Sequence, residues 1–373
     1  IASDARNYYQ ATDAAKLQGC ESVTISVTCS DGATLGQGST QYKCRKCGKC
    51  VAACPYNAIV EIERPCKKSC PVKAINMDEN DIATIDPTKC VNCGACVAGC
   101  PFGAISDVSM MTSVIGALKD GSKEVIAMVA PAIEGQFGSS TLPQIKAAIK
   151  QLGFADVYEV ALGADMVAYH EAAELLERKE KGEAMTSSCC PAFVNLVRKH
   201  FPALLPFVST TVSPMVAAER YIRSKRPEAV TVFIGPCISK KDEAAQYPGV
   251  VDFALTFEEL TAWMEGEGVT VEAAPDAEAG GKARLFPTTG GILRSMERRA
   301  ADYTYITVDG IDNCVRALRE ICEGGLKKCF IEMSACVGSC VGGPAMDKHG
   351  SAVRGTAAVD RYAPDGDFAV DKP

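Results

Sequence analysis

Residues 229–243 read "AVTVFIGPCISKKDE": an apolar, β-branched run ends on a Gly-Pro pair, a cysteine follows at position 237, and a charged stretch begins at Lys240. The pattern predicts a strand with a thiol just beyond its carboxyl end. Two further segments repeat it. "EAMTSSCCPAF" (183–193) carries Cys189 and Cys190 after a short extended run, and "KKCFIEMSACVGSC" (327–340) carries Cys336 and Cys340 after another. Around them, apolar runs alternate with helical patterns: "EVIAMVAPAI" (124–133), "TLPQIKAAIKQLG" (141–153), "DVYEVAL" (156–162) and "DMVAYHEAAELLERKEKG" (165–182). This alternation predicts an α/β domain with mainly parallel sheets, in which ligands collect beyond the carboxyl ends of the strands. One cysteine at a strand end is ordinary packing. Three such segments, two with Pro or Gly beside the thiol, predict convergence on one site.

Upstream, "CRKCGKCVAACP" (44–55) and "CVNCGACVAGCP" (90–101) each read C-x2-C-x2-C-x3-C-P. In that run three thiolates cap one iron-sulfur cube and the fourth reaches across to the neighbouring cube. The rule assigns Cys44, Cys47, Cys50 and Cys100 to one 4Fe-4S cluster, and Cys90, Cys93, Cys96 and Cys54 to the other. An α+β bacterial-ferredoxin-like domain is therefore expected ahead of the α/β domain. Between the runs, "RPCKKSCPVKAI" (64–75) carries Cys66 and Cys70 with the same C-x3-C-P-x2-A-I ending. Either Cys70 replaces Cys54 as the crossing ligand, or Cys66 and Cys70 join Cys20 and Cys29 in a third cluster, which four otherwise unassigned thiols would complete. Lys43, Arg45, Lys46 and Lys49 decorate the first run and could attract an acidic redox carrier, or simply solvate a loop.

The chain has 373 residues, 47% of them apolar, which is enough to bury a sizeable core in more than one domain. The expected division is an N-terminal segment (1–40), the ferredoxin-like domain (41–108), a connector with a short helix (109–124) and the α/β domain (125–373). A net charge of -7 argues against a general nucleic-acid binder. No apolar run approaches the roughly 18 residues of a membrane span, and the opening "IASDARNYYQATDAAK" lacks signal-peptide features, so a cytoplasmic location is expected. Twenty cysteines in a long chain point to metal ligands in a reducing compartment rather than to a disulfide framework.

"TSSCCPAF", "GPCISKK" and "MSACVGSCVGG" resemble the three signature segments of iron-only (FeFe) hydrogenases, in particular their group B branch, and the likeness runs from about Cys44 to Pro344. It implies two lobes with mainly parallel sheets around a buried metal cluster. That cofactor, the H-cluster, joins a 4Fe-4S cubane to a two-iron subcluster bearing CO, cyanide and azadithiolate. Position by position, the resemblance implies that Cys190, Cys237, Cys336 and Cys340 ligate the cubane, with Cys340 bridging to the two irons. Gly338, Gly342 and Gly343 would give the bulky group room. Lys240 would offer its ammonium to a cyanide ligand, and Glu243 is a supporting glutamate. Cys189 would pass protons onward through Glu171, Ser209 and Glu174, with Arg178 one turn further. Glu171 and Glu174, at i and i+3, share one face of a predicted helix.

The implied activity is interconversion of protons and electrons with H2. A ferredoxin-like carrier and hydrogenase maturation proteins are the implied partners. Well-studied relatives have Met where this chain has Gly235 and Ser334, Trp where it has Phe193 and Pro where it has Val337. These departures keep a low-turnover H2 or redox sensor as an alternative. A non-catalytic iron-sulfur scaffold of the hydrogenase-like kind is a second alternative, which the "SCCP" pair argues against. Met215 is near the site in an unassigned place. Cys314, Cys322 and Cys329 read as buried structural thiols, Trp263 as core or helix surface, and the tail after Gly350 as free of motifs.

Overall fold

The computed structural model describes residues 64–80, 82–138, 140–271, 280–346 and 351–368, with backbone alone for four short strands before residue 64. Cys20, Cys29, Cys44, Cys47, Cys50 and Cys54, and the basic residues Lys43, Arg45, Lys46 and Lys49, lie outside the described residues. The chain divides into two units, Ile1–Lys68 and Ser69–Pro373. In the first, β1 (Tyr9–Ala11), β2 (Val27–Thr28), β3 (Thr34–Leu35) and β4 (Ile59–Glu61) form two antiparallel pairs, β1 with β4 and β2 with β3. A single helical turn at Pro65–Lys68 carries Cys66.

The second unit opens on an antiparallel pair, β5 (Ile75–Met77) and β6 (Ala83–Ile85). Seven more strands follow: β7 (Val125–Val129), β8 (Asp156–Glu159), β9 (Met185–Thr186), β10 (Val230–Gly235), β11 (Phe253–Thr256), β12 (Thr304–Asp309) and β13 (Cys329–Ser334). They make two sheets, ordered β11-β10-β7-β8 and β12-β13-β9, and every pairing in both is parallel. The expected α/β class with mainly parallel sheets is what the chain adopts. β7 and β13 are buried at every residue, as helices on both faces of a parallel sheet require, and this is why they read as unbroken apolar runs.

Four helices matter for the site: α1 (Ala161–Arg178), α2 (Pro191–His200), α3 (Pro214–Lys225) and α4 (Ser239–Gln246). Proline at the first turn of α2 and α3 starts each without losing a backbone bond, because that N–H has no intrahelical partner. Gly163 lets α1 lie directly on α3, since a Cβ there would come within 2.6 Å of the Ala218 amide nitrogen. Glu159 closes β8 and takes both Arg284 Nε and Nη2 at 2.7 Å, together with the Tyr362 hydroxyl. The C-terminal helix Ala352–Tyr362 is tied to the sheet through that carboxylate, so the apparently featureless tail has a structural job.

The division at Lys68–Ser69 falls inside the stretch expected to be one ferredoxin-like domain, and the second cysteine run belongs with the α/β part. Side chains of the α/β part hold it there. Lys199 Nζ, at the end of α2, donates to the carbonyls of Pro87 (2.9 Å) and Cys90 (2.6 Å), and His200 Nε2 meets the Lys89 carbonyl at 2.9 Å. Lys241 secures the residues just before the connector, bonding Val108 O at 2.9 Å and lying 2.5 Å from Asp107 and 2.8 Å from Glu259. The connector holds the helix Met111–Asp120, and β7 begins at Val125 as expected. Trp263 is core, edge-on to Phe154. Cys314 and Cys329 are buried thiols, but Cys322, the last residue of the helix Ile311–Cys322, is exposed. Among the described residues, no helix is long and apolar enough to cross a membrane.

Candidate metal centre

Cys237 follows the end of β10, Cys336 follows the end of β13, and Cys190 lies between β9 and α2, so all three stand at the carboxyl ends of parallel strands. Cys340 joins them through a tight turn in which Gly338 and Ser339 both take left-handed backbone, with φ of 78° and 62°. The turn is anchored by Asp309, whose Oδ2 accepts from Gly338 N at 2.9 Å. Gly343 brings this segment against the β10 loop, since a Cβ there would sit 2.7 Å from the Pro236 carbonyl oxygen. Cys190, Cys237, Cys336 and Cys340 then line one largely apolar cavity with Met215 and Lys240. Met215, unplaced from sequence, is thus a wall of that cavity.

Burial, reinforced by the neighbouring thiols Cys237 and Cys190, pushes Cys340 up to about 12, and burial plus Cys190 does the same to Cys237. Cys336 is raised well above its ordinary value, by burial first and then by Cys237, Cys190 and Cys340. Cys340 has a large accessible area because it faces the cavity, not bulk solvent. Cys237, Cys336 and Cys340 resist ionising in this buried pocket, and a cationic metal group beside them is what makes thiolates stable there. Among the described residues, no three His, Cys, Asp or Glu side chains converge as single-ion ligands do. A pocket ringed by four thiols fits a multi-iron group better than one zinc ion.

Lys240 is buried, with its Nζ 2.6 Å from Glu243 Oε2 and 3.5 Å from the Cys189 carbonyl. Burial pulls its pKa down, but the Glu243 carboxylate and the Cys237 thiol outweigh burial and hold it above the usual value. Ser213 Oγ donates to the same Glu243 oxygen at 3.0 Å, so the lysine and its partner are fixed as a unit.

Cys189 also lines the cavity, and its thiol is raised well above normal, chiefly by burial and then by Glu171. Behind it, α1 presents a file of three side chains from interior to surface: Glu171 fully buried, Glu174 at 14% and Arg178 at 24% side-chain exposure. Glu171 Oε1 accepts from the Ser188 amide at 2.9 Å and the Ser188 hydroxyl at 3.2 Å, while Oε2 is buried without a partner among the described residues. Ser188 Oγ reaches the Thr211 carbonyl at 2.5 Å, and the Thr211 amide donates to Ser209 Oγ at 3.1 Å. Ser209 Oγ donates to Glu174 Oε2 at 2.6 Å, and Glu174 is paired with Arg178, which also holds the Pro206 carbonyl. The bonds form an inner group, Glu171 with Ser188, and an outer group, Ser209 with Glu174 and Arg178, which meet at the Thr211 backbone. Ser188, the link between Glu171 and the Ser209 segment, was missed because a serine beside two cysteines gives no spacing signal.

Burial raises Glu171 to about 8, the Ser188 donors offsetting part of the rise. A carboxyl that keeps its proton to about pH 8 when folded, but releases it near 4.5 when unfolded, makes folding less favourable as pH climbs between those values. The slope is about 1.4 kcal/mol per pH unit for a full proton. Glu332, raised to about 7 mainly by burial, adds a share of the same sign. Glu171→Gln is therefore expected to flatten, without abolishing, the loss of stability toward pH 8, gaining on the parent as pH rises. Urea midpoints of the cofactor-free protein across that range would measure it.

In the second ferredoxin run, burial raises Cys93 to about 11, with Cys96, Cys70 and Cys90 adding their charges. The Cys93 thiol also acts on Cys336, so the thiol groups of the ferredoxin run and of the cavity are neighbours.

Residues 123–344 match the family described as iron only hydrogenase large subunit, C-terminal domain. This chain belongs to that family. Residues 64–104 match a 4Fe-4S dicluster domain and 41–60 a 4Fe-4S binding domain, so the hydrogenase-family chain is an iron-sulfur protein. It is similar to iron hydrogenase 1 of Clostridium pasteurianum, 30% identical over 364 residues, covering 81% of this chain and 63% of that protein. The periplasmic [Fe] hydrogenase large subunit of Nitratidesulfovibrio vulgaris is 29% identical over 301 residues, covering 63% of this chain and 71% of its own. A shorter match is to the cytosolic Fe-S cluster assembly factor NAR1 of Candida dubliniensis, 31% identical over 112 residues, 28% of this chain and 19% of that one. A variant of the [FeFe]-hydrogenase HydA1 from Chlamydomonas reinhardtii superposes with a TM-score of 0.58 at 21% identity, over 70% of this chain and 91% of its own, which establishes the shared fold.

The departures from the hydrogenase pattern now have physical places. A Cβ on Gly235 would lie 2.5 Å from the Phe233 ring, so Phe233, itself a cavity wall, occupies the space a side chain at 235 would need. Ser334 Oγ pairs with Ser339 Oγ at 2.6 Å, closing the turn that carries Cys340. Phe193 is fully buried, whereas Val337 is 73% exposed.

Proposed function

We propose that this chain is a hydrogenase that reversibly reduces protons to H2, taking electrons from a ferredoxin-like carrier through its N-terminal 4Fe-4S clusters. The observation that carries the reading is the Cys189 thiol: it faces the cavity, is not one of the four ligand cysteines, and is backed by a polar path to the surface. A protein that only stored or handed on a cluster would have no use for such a path.

In this reading Cys190, Cys237, Cys336 and Cys340 would hold the cubane, with Cys340 beside the two-iron group. When bound, that group supplies two-electron redox chemistry at iron. The chain's own residues do the rest. Lys240, kept cationic by Glu243, stabilises anionic charge at the cavity wall. Cys189 Sγ exchanges a proton with Glu171, whose pKa of about 8 suits transfer near neutrality. Glu174 would take it on toward the surface, with Ser188 and Ser209 orienting the two carboxyl groups by their hydrogen bonds and Arg178 holding the outer carboxylate. The apolar walls, Phe233 and Met215 among them, exclude water from the reacting face. Electrons enter beside Cys93, next to Cys336. Maturation proteins would install the two-iron group.

The NAR1 likeness favours a scaffold only over the 28% of the chain it covers. The deciding assay is H2 evolution by the chain matured with an azadithiolate di-iron complex and supplied with reduced ferredoxin. Sustained turnover is expected; fully loaded protein that evolves no H2 would leave the scaffold or sensor reading.

A further inference from the structure

We infer that Cys70, and not Cys54, is the fourth ligand of the 4Fe-4S cluster carried by Cys90, Cys93 and Cys96. The inference rests on the reading that this run binds a cluster, and it decides between the two assignments the sequence leaves open.

The first support is backbone geometry. Cys70 and Cys100 occupy equivalent positions in two loops of one shape. Each is followed by proline, and each carbonyl accepts from the amide three residues on, Lys73 at 3.2 Å and Gly103 at 3.4 Å. Both of those residues are left-handed, with φ of 52° at Lys73 and 62° at Gly103. A lysine adopts that conformation only where the fold imposes it. Each cysteine sulfur then accepts from the amide four residues on, Ala74 at 3.2 Å and Ala104 at 3.3 Å. An N–H donor favours the thiolate that iron requires.

The second support is how the loops meet. The residues preceding the two cysteines, Ser69 and Gly99, are in contact; a Cβ on Gly99 would lie 2.8 Å from Ser69 Cβ. Two loops of one shape thus touch at the residue before each cysteine. In such an arrangement the cysteine before each proline serves the cluster of the opposite half, so Cys100 leaves its own run and a thiol from the Cys70 loop replaces it. The third support is proximity: Cys70 is among the thiols whose charge acts on both Cys93 and Cys96.

The assignment changes what a third cluster could draw on. With Cys70 completing the set of Cys90, Cys93 and Cys96, Cys70 is no longer available to a third cluster and Cys54 is.

The test compares Cys70→Ala, Cys54→Ala and Cys93→Ala in the full chain with its iron-sulfur clusters assembled and no two-iron group. The readouts are iron per chain and the EPR spectrum of the dithionite-reduced protein. Cys70→Ala and Cys93→Ala are expected to remove the same reduced-cluster signal, and Cys54→Ala to keep it. Loss of that signal in Cys54→Ala, or its survival in Cys70→Ala, overturns the assignment. Should Cys70→Ala fail to fold, Cys70→Ser retains an oxygen ligand: shifted g values support the assignment and an unchanged spectrum overturns it. Cys93→Ala with full iron and an unaltered spectrum would instead sink the underlying reading that this run binds a cluster.

Discussion

Cys189→Ala is expected to cut H2 evolution by at least about 100-fold, the lower end of what a positioned proton-transfer group contributes, while iron content stays at the parent level. The thiol lines the cavity on the side where Glu171 with Ser188, and beyond them Glu174 with Ser209 and Arg178, lead outward. Alanine removes the proton carrier without removing any of the four ligand thiols. Cys189→Asp, which restores an exchangeable proton, should recover part of the loss. Parent-like turnover in Cys189→Ala would remove Cys189 from the mechanism.

Lys240→Met is expected to destabilise the protein by about 3 kcal/mol, the scale for removing one partner of a buried ion pair. Both side chains of the Lys240–Glu243 pair are only 10% exposed, and methionine would leave the Glu243 carboxylate with Ser213 Oγ alone on the shared oxygen. Adding Glu243→Gln removes the stranded charge, so the double variant should regain most of the stability, as a denaturant-midpoint cycle would show. Activity should not return with it, because the cation at the cavity wall is still missing. Additive losses in the cycle would mean the two residues do not act as a pair.

Much of this site was legible because its signals are local. A strand's apolar run, a stop at Gly-Pro and a thiol beyond it are read from a dozen residues, and three such segments placed Cys190, Cys237 and Cys336 at strand ends before any contact was known. The i, i+3 spacing of Glu171 and Glu174 likewise survives folding as one helix face. What escaped depends on contacts between distant segments. Ser188 bridges residues more than fifteen positions away on either side. The hold of Lys199 and His200 on the Cys90 loop likewise joins residues about 110 positions apart. Gly235 looked like a missing methionine, yet its neighbour Phe233 fills the space. Cys70 and Cys54 end in matching C-P motifs, and the shared shape and the contact of the Cys70 and Cys100 loops favour Cys70.

In the proposed hydrogenase, the four cysteines Cys190, Cys237, Cys336 and Cys340 hold an H-cluster in working form. Infrared spectroscopy of the matured chain tests it most directly. The account predicts stretching bands of iron-bound CO and cyanide that disappear in Cys340→Ala, whose thiol would bridge to the two-iron group. Absence of those bands after maturation with a competent azadithiolate complex, in protein whose ferredoxin-type clusters are intact, would contradict it.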